Sequence, residues 1–301
     1  MPTRTAFRSA VIGWVFAIGW IVIGHAETRP VQVVATFTVL ADMVRQVGGD
    51  RVQVTSLVGP DGDAHVYQPT PADARAVASA DLLVVNGLGM EGWMDRLSKA
   101  AEYKGPAVVA SKGVKTRQMI EDGRTETDPH AWQDLANGRI YVANIAAGLA
   151  KADPANAALY AASAERYSRE LAELDSWVRN EIGAVPPKKR KVITSHDAFG
   201  YFGKAYGVTF LAPEGISTES EVSAKDLAKL VRQVKQTRIK AIFMENMSDP
   251  RLVEQLAREA GAAIGGTLYV DALSRPDGPA ATYVAMFRHN VPQLRDAMLR
   301  N

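Results

Sequence analysis

Two hydrophobic rhythms alternate along this chain. Short, continuous runs of apolar and β-branched residues at 31–37, 52–58, 81–86 and 107–110 read as strands buried on both faces. Between them lie helical stretches. The first spans 39–47 and is closed by Gly48-Gly49. A second opens where Thr70 is placed to cap and Pro71 takes the first turn. A third covers 90–103, and a charged loop without periodicity follows at 112–128. The second half repeats this grammar: strands at 191–194, 208–212, 241–244 and 268–270 alternate with helices at 199–206, 223–238 and 250–260, and a last helix spans 279–299. Alternating strands and helices imply parallel sheets covered by helices. The expectation is an α/β protein of two lobes.

The middle of the chain follows a different pattern. One long helix is expected at 134–151. A second runs from about residue 154 to 182, with Tyr160, Ala164, Tyr167, Leu171, Leu174, Val178 and Ile182 at steps of four and three, a single buried stripe. Nearly 30 residues at 1.5 Å each give about 40 Å, longer than a small domain is wide. This helix reads as a strut joining the lobes, stopped by Pro186-Pro187. The expected organisation is an N-terminal lobe at 27–153, a linking helix at 154–185 and a C-terminal lobe at 186–301. No short repeat suggests a solenoid.

The first 26 residues read as a cleaved signal peptide. Arg4 and Arg8 precede an apolar run from Ala10 to Gly24, and Gly24-His25-Ala26 offers small residues for cleavage after Ala26. At about 15 residues the run falls short of the roughly 20 that a membrane span needs. The chain has no cysteine. Disulfides and thiolate ligands are therefore excluded, and so is a bacterial lipoprotein, which carries its lipid on an N-terminal cysteine. The expected product is a free protein of the periplasm. Of 35 basic residues Arg4 and Arg8 leave with the signal, so the remainder balance the 33 acidic ones. Nothing in that balance points to nucleic acid. The one basic cluster, Lys188-Lys189-Arg190-Lys191, reads as a solvated turn.

Chemistry enters through three of the five histidines. They lie in Asp63-Ala64-His65-Val66-Tyr67, Asp128-Pro129-His130-Ala131-Trp132 and Ser195-His196-Asp197-Ala198-Phe199, and Tyr269-Val270-Asp271-Ala272 adds a carboxylate. His25 leaves with the signal, and His289 beside Arg288 reads as surface. Imidazole nitrogens and a carboxylate oxygen are what a borderline divalent cation requires. Ligands of parallel α/β sheets bind beyond the carboxyl ends of strands. His196 and Asp271 follow such ends, while His65 and His130 stand in loops of the first lobe, so a cation would lie in the cleft between lobes. Taken singly, each residue has a plainer reading as a surface histidine, a helix N-terminal residue or a turn cap. Trp132 and Phe199 either wall the site or pack in a core. Asp197 either orients a ligand imidazole or merely opens a helix, and Glu245 either faces the cleft or is solvated. Asn86-Gly87-Leu88-Gly89 lacks the spacing and lysine of a phosphate loop and reads as a strand-end turn.

These segments carry a resemblance. The stretch from Gly59 to Thr70, Thr127-Asp128-Pro129-His130-Ala131-Trp132, the stretch from Thr194 to Phe202 and the strand ending at Asp271 resemble the metal-specific solute-binding proteins of ABC importers, the cluster A-I or ZnuA/TroA-like family. The resemblance covers nearly the whole mature chain. It implies two lobes bridged by a long helix, with His65, His130, His196 and Asp271 as metal ligands between them. It also implies a monomer that delivers its metal to a permease and ATPase at the inner membrane. Manganese-type members often carry glutamate at the third position, where this chain has His196. Three nitrogens and one carboxylate suit zinc better. Zinc-type members often carry a histidine-rich loop before the second ligand, whereas the loop at 112–128 has no histidine; the AztC-like subgroup matches that feature. Zn2+ is the expected cargo, Mn2+ the alternative, with iron behind. The rival from another class is a zinc-dependent hydrolase. Four protein ligands leave little room for an activated water, and neither a His-Glu-x-x-His nor a Gly-x-Ser-x-Gly motif is present. A continuous strut predicts small movements on metal release rather than a wide hinge, and neutral imidazole ligands predict weaker binding near pH 6.

Overall fold

In the first lobe, β1 (Val31–Ala35) leads through α1 (Thr38–Gly48) to β2 (Val52–Ser56). Then follow α2 (Pro71–Ala78), β3 (Leu82–Val85), α3 (Met94–Ala100) and β4 (Ala107–Val109). The strands form one parallel sheet in the order β2-β1-β3-β4. The two central strands are the apolar ones and are buried, whereas β2 and β4 alternate between half-buried and exposed, as edge strands do. The computed structural model describes residues 29–121, 124–213, 215, 218, 224–237 and 239–301. The signal expected at 1–26 and the helix ends expected at Ser223 and Arg238 lie outside the described residues.

The segment read as a loop at 112–128 contains an antiparallel hairpin, β5 (Gln118–Glu121) and β6 (Arg124–Thr127). After it, α4 (Leu135–Ala152) is capped by Asp134, whose carboxylate accepts from the Ala136 N–H at 2.9 Å. A short 3-10 turn at Pro154–Asn156 then opens α5 (Ala157–Gly183). Its buried residues are the seven of the predicted stripe. Each such burial stabilises by about 1.5–3 kcal/mol for the larger side chains. The helix packs on α1 and α4 of one lobe.

The second lobe repeats the first. In chain order come β7 (Lys191–Ile193), α6 (Gly200–Tyr206), β8 (Thr209–Leu211), α7 (Ala224–Thr237), β9 (Ile242–Glu245), α8 (Pro250–Ala260), β10 (Ile264–Leu268) and α9 (Tyr283–Leu299). The sheet order is β10-β9-β7-β8, the same winding as the first lobe, and all pairings are parallel. Here α5 packs on α6 and α9, so the strut helix touches both lobes. Direct bonds also join them. The Leu273 N–H donates to Thr38 Oγ1 (2.8 Å), the Tyr283 N–H to Asp42 Oδ2 (2.8 Å), and Trp132 Nε1 (3.1 Å) and Gln133 Nε2 (3.2 Å) to the Val270 carbonyl.

Candidate metal centre

His65, His196 and Asp271 follow strands of their lobes' parallel sheets, and His130 follows the antiparallel hairpin. After β2, Asp63 accepts from the His65 N–H (2.9 Å) and from Thr218 Oγ1 (2.6 Å), while Trp93 Nε1 holds the Ala64 carbonyl (2.8 Å). After β6, Asn86 Nδ2 holds the Pro129 carbonyl (3.0 Å). His196 follows β7. Asp271 lies three residues beyond β10, which ends at Leu268 rather than at the expected Val270.

Two carboxylates aim the imidazoles. Asp128 Oδ1 accepts from the His130 N–H (3.0 Å) and faces its Nδ1 (2.9 Å). Glu245 accepts from the Ser195 and His196 N–H groups (3.0 and 3.2 Å), and its other oxygen meets His196 Nδ1. A carboxylate at Nδ1 fixes the proton there and leaves the Nε2 lone pair to point the other way. In both rings that direction is inward. Glu245 is buried, not solvated, and it rather than Asp197 backs His196; the Asp197 N–H donates to the Gly215 carbonyl. Asp128 is a functional candidate that the sequence reading missed, although Asp-x-His spacing was its available signal.

The inward atoms converge. Nε2 of His130 lies 3.2 Å from that of His65 and 3.3 Å from that of His196. Asp271 Oδ2 lies 3.3, 3.2 and 3.7 Å from the Nε2 atoms of His65, His196 and His130. All four donor atoms fall within 4.8 Å of one another. Metal–ligand bonds of about 2.0–2.1 Å in a tetrahedron give donor separations of roughly 3.3–3.4 Å, so this cage has the dimensions of a small divalent cation's shell. His130, His196 and Asp271 are fully buried. Despite the short separations, neither carboxylate oxygen of Asp271 has hydrogen-bond geometry to a partner among the described residues. A buried carboxylate left so is costly unless a cation compensates it.

The charges agree. Burial disfavours a proton on His130, but Asp271 and Asp128 outweigh it and push the imidazole up to about 9. Burial likewise opposes charge on His196, and Glu245 and Asp271 overcome it and hold that ring well above its ordinary value. For His65 burial wins, and the ring is lowered. Burial pushes Asp271 up, yet His130 and His196 keep it well below the usual carboxylate range. The centre is built to carry positive charge beside Asp271.

Trp132 walls the site: its ring lies 5.3 Å from that of His130. Phe199 instead stacks on Phe210 at 4.8 Å in the second lobe's core. His289 is half-buried rather than on the surface, against the Thr267 carbonyl and away from the centre.

A family model described as ZnuA, zinc-uptake complex component A periplasmic, matches residues 33–297. Over 98% of this chain and 99% of the relative, the sequence is 35% identical to the manganese-binding lipoprotein MntA of Bacillus subtilis (strain 168). Over 86% of the chain and 84% of the relative, it is 32% identical to the iron-binding protein YfeA of Yersinia pestis. Among solved structures, the periplasmic zinc-binding protein TroA from Treponema pallidum superposes with a TM-score of 0.85 at 31% identity, covering 90% of this chain and 99% of that one.

Proposed function

The chain belongs to the ZnuA family of periplasmic metal-uptake components, and from that premise we propose that it captures zinc between its lobes through His65, His130, His196 and Asp271. It is a metal-binding receptor for ABC import and not an enzyme. The similar proteins are named for manganese, iron and zinc, so the cargo has to be argued from the donors. The observation that carries zinc is the convergence of three Nε2 atoms on one carboxylate. Manganese prefers oxygen donors and stands below zinc in affinity for a site of this kind.

The division into lobes at 27–153 and 186–301 around a linking helix at 154–185 fits this function, since each lobe supplies two donors. Several relatives are lipoproteins. For this chain, which has no cysteine, the reading is a periplasmic protein released from a signal at 1–26 and acting as a monomer. Its partners would be the permease and ATPase of the importer.

Competition titration of the chelator-stripped protein tests the reading. Zinc is expected to bind with one equivalent per chain and to displace manganese. His196→Ala is expected to weaken zinc by more than the roughly 10–100-fold typical of losing an outer partner, with the fold intact. Manganese that withstands equimolar zinc would overturn the zinc assignment, and wild-type zinc affinity in His196→Ala would remove that residue from the shell.

A further inference from the structure

The two carboxylates that aim the imidazoles are held differently. Glu245 rests in N–H groups and the Ser248 hydroxyl (3.2 Å) of its own lobe. Asp128 is fully buried and takes a cation from another segment, the guanidinium of Arg117. A buried carboxylate needs such compensation. Register explains how Arg117 arrives there. The hairpin pairs Gln118 with Thr127 and Met119 with Glu126. One step further, the Asp128 N–H donates to the Arg117 carbonyl at 3.1 Å. The base of the hairpin therefore sets Arg117 opposite Asp128.

The second lobe closes on the same arginine. Tyr201 Oη accepts from the Arg117 N–H (3.0 Å) and donates to the Asp128 carbonyl (3.0 Å). The guanidinium lies 5.6 Å from the centroid of the Tyr201 ring, within cation–π range. A Cβ built at Gly200 would overlap that guanidinium. Gly200 is not among the glycines of positive φ. A side chain there would have to displace the arginine, whereas the backbone would accept it.

We propose that Arg117 is a positioning residue for metal capture, seated by Gly200 and Tyr201 of the second lobe so that it locks Asp128, and through it His130, in the binding orientation. The inference rests on His130 being a ligand. It makes metal affinity sensitive to how the second lobe sits against the hairpin, through residues that touch no metal.

The test measures zinc affinity of the full mature chain by competition with a chromophoric chelator. Arg117→Gln is expected to weaken zinc about tenfold or more, as loss of an outer partner does, and Arg117→Lys to recover part of the loss. Gly200→Ala, which keeps the arginine in the sequence but displaces its guanidinium, is expected to weaken zinc and to lower the thermal midpoint of the stripped protein, because buried Asp128 loses its partner, while the protein still folds. In the double variant Gly200→Ala is expected to add nothing, since both changes break one contact. With cobalt as probe, the visible absorption of Arg117→Gln is expected to shift. Unchanged zinc affinity in Gly200→Ala would overturn the proposal even where Arg117→Gln does not fold, and where it folds, losses that add would overturn it too. His130→Ala separates the two claims: wild-type zinc affinity there would sink the ligand assignment itself.

Discussion

Asp271 shows most plainly how single residues make this site. Its side chain has no hydrogen-bonding partner among the described residues, and three imidazole nitrogens stand at 3.2–3.7 Å. His65, His196 and Asp271 were legible because each sits in a short, turn-flanked segment after an apolar run, and His130 because Asp-Pro punctuates the end of the charged loop before it. Asp128 carried a readable sign, two positions before His130, whereas nothing in the sequence ties Glu245 to His196, since their pairing depends on β9 lying beside β7. The elevated His130 sets a pH dependence. Its proton persists to about 9 and has to leave before Nε2 binds a cation. Because His196 is also held well above its ordinary value, apparent zinc affinity is expected to keep rising with pH above neutrality and to fall on acidification, roughly tenfold per unit for each proton displaced. That places the loss higher than an ordinary imidazole near pH 6 would. Titrations across that range check the sign, and an affinity already level at neutral pH would contradict it.

At the scale of elements, periodicity succeeded where burial is one-sided and failed where it is absent. The stripe of α5 was readable because every third or fourth residue enters the core. The hairpin escaped notice because β6 is exposed over most of its length, so no alternation of apolar residues marks it. The start of β10 was missed for another reason: its Ile-Gly-Gly-Thr-Leu sequence spends two positions on glycine, which weakens any strand signal. The start of α3 was overrun because Glu91 turns back to accept from the Asn86 and Gly87 N–H groups (2.6 and 3.1 Å), leaving the helix to begin at Met94. Leu171 sits fully buried midway along the strut. Leu171→Ala is expected to lower stability by about 2–5 kcal/mol in denaturant unfolding of the stripped protein, and a loss below about 1 kcal/mol would show that the stripe is not tightly packed.

Across the whole molecule, the lobes are tied by direct hydrogen bonds and by the strut helix. Thr38 and Asp42 bond the second lobe directly, Trp132 and Gln133 hold Val270 next to Asp271, and α5 packs on both lobes. Opening such an interface widely would expose buried polar groups and bend a continuous helix. Solution scattering is expected to give the same radius of gyration for zinc-loaded and stripped protein within error, and a clear expansion on stripping would refute the strut. The most direct measurement of the central claim is anomalous diffraction at the zinc edge from zinc-loaded crystals. One peak is expected, at about 2.0–2.2 Å from Nε2 of His65, His130 and His196 and from the Asp271 carboxylate. A zinc peak elsewhere, or one that any of these four fails to touch, would contradict the account.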